Sequence, residues 1–138
     1  MTIFVLDNSV TMRWFFDGGN HPYADAVLFD LMSSTGEAVV PVLWCYEVSA
    51  VLARAHSKGA IPVQDASDFI DDLQALPIHV DDESEKHIFR DVHQLAIAYR
   101  LTSYDAAYLE LALRRNLPLA TLDDELKIAA ASAGVIVL

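Results

Sequence analysis

Apolar residues along this chain gather in two kinds of run. Short β-like runs fall at residues 2–6, 38–40, 78–80, 117–120 and 135–138. Between them the apolar positions recur at helical spacing, near residues 10–16, 23–33, 43–57, 63–75, 84–99, 104–115 and 124–132. Pro22, Pro41 and Pro62 stand between these segments, where a residue lacking a backbone N–H is tolerated. Strands that alternate with helices predict an α/β fold with a parallel sheet covered on both faces. Such sheets bind ligands beyond the carboxyl ends of their strands, where strand order reverses. No internal repeat, low-complexity segment or linker interrupts the pattern, so residues 1–138 read as one domain.

The same pattern isolates a set of acidic residues. Asp7 follows the run Ile3-Phe4-Val5-Leu6, and Asp123 follows Pro118-Leu119-Ala120-Thr121-Leu122. Both stand just past the carboxyl end of a predicted strand. If those strands are neighbours, the two carboxylates share one crevice. Glu47 borders a helical face made by Trp44, Val48, Val51, Leu52 and Ala55, and Asp105 opens another helix after Thr102-Ser103-Tyr104. Carboxylates beside apolar segments are expensive to hold unless something offsets their charge. Hard divalent cations such as Mg²⁺ prefer oxygen ligands and provide that offset.

Each acid also has a plainer role open to it. Asp7-Asn8-Ser9 suits a helix cap or turn. Glu47 can reach water or pair with Arg54. Thr102-x-x-Asp105 fits a capping box, and Thr121-x-x-Asp124 fits another. The second box assigns the capping role to Asp124 and leaves Asp123 as the candidate ligand of that adjacent pair. Asp65, Asp68, Asp71 and Asp72 read as the solvated face of a helix, and Asp81, Asp82, Glu83 and Glu85 as an acidic helix start. His79, His87 and His93 lack compact ligand spacing, so no zinc site is expected. Cys45, the single cysteine, is expected to pack as a small hydrophobe. Arg13, Arg114 and Arg115 stand either as phosphate contacts or as surface charges, and Trp14 and Phe15 as core or interface groups.

Composition narrows the classes. Hydrophobic residues make up 54%, enough for a real core. No apolar run approaches the ~20 residues of a membrane span, and the N-terminus lacks a secretory-signal pattern, so a cytoplasmic protein without a membrane partner is expected. The formal net charge of −11 argues against binding nucleic acid by bulk surface electrostatics. It leaves room for a metal-dependent nuclease and for a basic protein partner.

The chain resembles the PIN-domain family, particularly VapC-type toxins. The resemblance rests on Val5-Leu6-Asp7-Asn8-Ser9-Val10, on Glu47-Val48-Ser49-Ala50-Val51-Leu52-Ala53-Arg54, on the run from Leu101-Thr102-Ser103-Tyr104-Asp105 to Ala112, and on Leu117-Pro118-Leu119-Ala120-Thr121-Leu122-Asp123. It covers almost the whole chain. It implies a three-layer α/β/α domain with a central, mainly parallel five-stranded sheet. It also implies an Mg²⁺- or Mn²⁺-dependent endoribonuclease whose acidic quartet corresponds to Asp7, Glu47, Asp105 and Asp123, with Ser9 and Thr121 as hydroxyl supports. An antitoxin with a basic inhibitory segment, an RNA substrate and a homodimer are the partners implied. Asn8, where a small residue is common, and Asp124, a second acid beside the fourth ligand position, depart from the pattern. Two rivals remain: a phosphatase on a similar α/β sheet, and a non-catalytic interaction module. Ser9 stands where an aspartyl-phosphate phosphatase carries its second Asp, which disfavours the first rival.

Overall fold

The computed structural model describes residues 1–138. Its elements, in chain order, are β1 (Thr2–Leu6), α1 (Asn8–Phe16), α2 (Pro22–Met32), β2 (Gly36–Val40), α3 (Val42–Ser57), α4 (Val63–Ala75) and β3 (Ile78–Val80). A 3₁₀ turn (Ser84–His87), a π turn (Ile88–Val92), α5 (His93–Tyr99), α6 (Ser103–Arg115), β4 (Leu119–Ala120) and α7 (Asp124–Ser132) complete it. The sheet is parallel throughout, in the order β3-β2-β1-β4. Helices flank it, as an α/β/α arrangement requires.

The central strand explains its own apolar run. β1 is hydrogen-bonded on both edges, and its Phe4, Val5 and Leu6 are 2%, 0% and 0% exposed. A strand buried on both faces needs continuous apolar residues rather than alternation. β1 pairs with β2 on one side and β4 on the other, so strand order reverses at its carboxyl end. Val5 pairs with Leu119 and Leu6 with Ala120, and the Asp7 N–H continues the ladder to the Ala120 carbonyl at 3.0 Å. The two strand-end acids therefore flank one crevice, the condition left open by the sequence.

Four expectations are corrected. The fifth strand is reduced to a single parallel bridge between Leu119 and Val137, so the sheet has four strands rather than five. Ile136 and Leu138 beside it are 72% and 43% exposed, which leaves little burial to hold a longer strand. The single helix expected over 84–99 is instead a 3₁₀ turn, a π turn and a short α-helix. At its start the Asp81 carboxylate accepts the Glu83 N–H (3.2 Å) and the Ser84 hydroxyl (2.7 Å). Asp81 is therefore a buried turn-former, not part of the expected acidic helix start. Cys45 lies exposed on α3 and does not pack into the core.

Candidate active site

Asp7 occupies the N-cap position of α1 with extended backbone angles, yet it makes no capping bond. Its Oδ2 instead accepts the hydroxyls of Ser9 (2.6 Å) and Thr121 (2.7 Å). Those hydroxyls are oriented by the backbone: Ser9 Oγ accepts the Leu122 N–H at 3.0 Å, and Thr121 Oγ1 accepts the Asp123 N–H at 3.1 Å. Each hydroxyl accepts a hydrogen bond from an amide N–H and donates one to the same carboxylate. The network fastens the β1–α1 junction to the β4–α7 junction. Asp7 is 4% exposed, and this burial raises its pKa above the ordinary value despite the two hydroxyl bonds, with the Asp123 charge adding to the rise.

Glu47 reaches the same crevice from α3. Trp44, Val48 and Leu52 form the buried stripe of that helix, and the Trp44 indole N–H donates to Thr11 Oγ1 at 3.0 Å, fixing α3 against α1. Half-buried beside the stripe, the Glu47 carboxylate accepts the Tyr108 hydroxyl at 2.5 Å. It pairs with neither Arg54 nor any other base. Burial raises its pKa, and the charges of Asp7 and Asp105 push the same way.

Asp105 enters from the first turn of α6. Thr102 caps that helix by accepting the Asp105 N–H at 3.1 Å, so half of the expected capping box forms. The Asp105 carboxyl is pushed up to about 6, first by burial and then by the charges of Asp123 and Asp7. The Asp123 charge bears on Asp7 and Asp105, the Asp7 charge on Glu47 and Asp105, and the Asp105 charge on Glu47, so the four carboxylates lie within electrostatic reach of one another.

The cap of α7 is a correction. Asp123, not Asp124, is the N-cap, and its Oδ1 accepts the Leu126 N–H at 2.8 Å. Asp124 is exposed in the first helical turn and caps nothing. Thr121 does not cap because it is fully buried, with its hydroxyl turned toward Asp7. Asp123 therefore holds the helix with Oδ1, and its Oδ2 takes no part in the cap.

Tyr108 is the residue that sequence reasoning missed. It stands three positions after Asp105, hence on the same side of α6, and that spacing is the one signal for it. It is fully buried, and burial with the Glu47 and Asp7 charges drives its phenol pKa far upward, so the hydroxyl is a fixed donor.

The arginines lie elsewhere. Arg114 donates from Nε to Glu110 Oε1 (2.6 Å) and from Nη2 to Asp81 Oδ2 (2.8 Å), while Arg115 reaches Asp81 at 3.4 Å. Burial alone would raise Asp81, but Arg114 and Ser84 outweigh it and hold the carboxyl at about 2. Arg114 is thus engaged in a structural ion pair, and Arg13 pairs with Asp17 at 2.8 Å. Trp14 is buried, and Phe15 packs edge-on against Phe69. His87, Asp91 and Glu110 bring potential metal-ligand atoms within 4.8 Å of one another, at a cavity of about 630 Å³ between α5 and α6. Their separation in sequence had concealed this grouping. Arg114 engages both Glu110 oxygens, at 2.6 and 3.3 Å, so that carboxylate is already neutralised without a metal.

The PIN domain family model matches residues 4–131, and the chain belongs to that family. Ribonuclease VapC3 of Pyrobaculum aerophilum is 33% identical over 88 residues, which are 61% of this chain and 64% of that protein's length. The aligned part is therefore less than two thirds of that relative. Among solved structures, PAE2754 from Pyrobaculum aerophilum superposes with a TM-score of 0.67 at 21% identity, covering 93% of this chain and 79% of that one. VapBC2 from Rickettsia felis, bound to a DNA fragment from its promoter, gives 0.69 at 10% identity and covers 99% of this chain and 98% of that one. FitAcB from Neisseria gonorrhoeae gives 0.65 at 17%, with coverage of 99% and 96%. At these identities the structural likeness is one of fold. No helix is long and apolar enough to cross a membrane.

Proposed function

We propose that this chain is a divalent-cation-dependent endoribonuclease, the toxin of a toxin–antitoxin pair. The observation that carries the proposal is the convergence of Asp7, Glu47, Asp105 and Asp123 on one crevice at the reversal of strand order. The donor set fits Mg²⁺ or Mn²⁺. It offers only hard oxygen ligands, their repulsion is relieved by a cation, and the adjacent Asn8 Oδ1 is a buried oxygen without a hydrogen-bond partner. When bound, such a cation supplies charge neutralisation at the phosphodiester and at the leaving oxygen.

The chain's own residues do the rest. Ser9 and Thr121 fix Asp7, the α7 cap fixes Asp123, and Tyr108 fixes Glu47. Asp7, Glu47, Asp105 and Asp123 would hold the cation, and one of them would orient the attacking water. Arg13 and Arg114 are engaged by carboxylates of the chain itself and are not free to contact the substrate phosphate. The similarity to Ribonuclease VapC3 supports RNA as the substrate. The fold of VapBC2 and the −11 charge support an antitoxin partner with a basic inhibitory segment. A homodimer and a cytoplasmic location belong to the same reading.

The test is cleavage of a mixed RNA pool by the purified, antitoxin-free protein with Mg²⁺ or Mn²⁺. Cutting that is abolished by EDTA and by Asp7→Asn is the expected result. Absence of cutting by folded, metal-supplied protein would overturn the proposal in favour of a non-catalytic interaction module.

A further inference from the structure

Resting on that reading of the site, we infer that Tyr108 is a positioning residue that sets Glu47 for cation binding. The Tyr108 hydroxyl is the one hydrogen-bond partner of the Glu47 carboxylate, at 2.5 Å and across 61 residues of sequence. By engaging Oε1 it selects a single rotamer of a long, otherwise free side chain and leaves Oε2 for a ligand. Holding one Glu rotamer by a fixed donor removes an entropic cost that each cation-binding event would otherwise carry.

The donor is well placed to be rigid. Tyr108 has no exposed surface and sits on the same side of α6 as Asp105, one turn away. α6 packs on β1 and β4, the strands that lead into Asp7 and Asp123. α3 is separately fixed to α1 by the Trp44–Thr11 bond. The Tyr108–Glu47 bond therefore joins the α3 carboxylate to the element that carries Asp105. Loss of the hydroxyl frees Glu47 while the ring still fills its pocket.

Tyr108→Phe tests this with Mn²⁺ as the probe. Supporting residues around metal ligands typically set affinity by roughly 10–100-fold, so isothermal titration should show the Mn²⁺ dissociation constant rising by about that factor. KM for RNA should stay unchanged, and kcat should recover as Mn²⁺ is raised. In a Glu47→Gln background the same substitution should have no further effect, because the hydroxyl acts through Glu47. An unchanged Mn²⁺ affinity in folded Tyr108→Phe would overturn the inference, even with a lowered Tm, which a purely packing role would also produce. So would an undiminished effect in the Glu47→Gln background. The unmodified protein offers an independent measurement: with ¹³C-labelled tyrosine, the Tyr108 Cζ resonance should move along the Mg²⁺ titration, and a stationary resonance would overturn the inference as well. Should Asp7→Asn and Glu47→Gln themselves bind Mn²⁺ like the unmodified protein, the failure lies instead with the assignment of the quartet.

Discussion

Removing one carboxylate should make the metal-free protein more stable. Asp105 has its pKa raised from 3.8 to about 6, so the folded state binds a proton that the unfolded state has already released across that interval. The contribution is favourable at acid pH and is lost as pH rises through about 6, which penalises folding at neutrality. At 1.36 kcal/mol per pKa unit the interval is worth about 3 kcal/mol at most. Asp105 is partly exposed, so screening reduces this to about 1–2 kcal/mol. Asp105→Asn keeps the N–H that Thr102 caps, and it loses only a helix-dipole contribution of about 0.3–1 kcal/mol. Urea denaturation in EDTA should therefore show Asp105→Asn more stable than the parent by about 1 kcal/mol at about pH 7.5, with the advantage vanishing near about pH 4. General relief of the −11 charge on acidification affects both proteins alike, so the difference between them isolates the site. Equal stability at neutral pH, or a variant less stable there, would refute the reasoning.

Thr121→Val should destabilise the protein by about 1–3 kcal/mol in urea melts, because Asp7 is buried and loses one of its two hydroxyl donors. Arg114→Ala should cost about 3 kcal/mol, since it removes the nearest cation from the buried carboxylates of Asp81 and Glu110 and leaves Asp81 only the more distant Arg115; thermal denaturation measures it. Asp123→Asn should keep the stability of α7, as Asn caps about as well as Asp, while weakening Mn²⁺ binding at least tenfold by titration calorimetry. Asp124→Asn, on an exposed residue that caps nothing, should leave both unchanged.

What the sequence disclosed follows the range of the forces involved. The runs at β1 and β4 were readable because burial on both faces demands uninterrupted apolar residues, and adjacency of the two strands was the single missing step. The 135–138 run carries the same composition, but exposure of Ile136 and Leu138 leaves a bridge where a strand was expected. Asp123 and Asp124 illustrate a different limit. The Thr121-x-x-Asp124 spacing is a local signal, and it was overridden when Thr121 turned inward to Asp7, 114 residues away. Arg114 was left open as a phosphate contact or a surface charge; Glu110 one turn earlier was the local sign of its pairing, while its Asp81 contact depends on tertiary packing. Tyr108 was hidden for the same reason, since its role depends on a partner in another helix. Asp7, Glu47, Asp105 and Asp123 stood out as acids beside apolar segments, each with a plainer role open to it, and only the resemblance to the PIN-domain family set them together as one quartet.

The most direct test is a crystal structure of the protein soaked in Mn²⁺, with data collected to reveal manganese by anomalous scattering. The account predicts a peak within about 2.0–2.3 Å of carboxylate oxygens from the set Asp7, Glu47, Asp105 and Asp123. A peak at His87, Asp91 and Glu110 instead, or none in the crevice at a Mn²⁺ concentration that supports RNA cleavage, would contradict it.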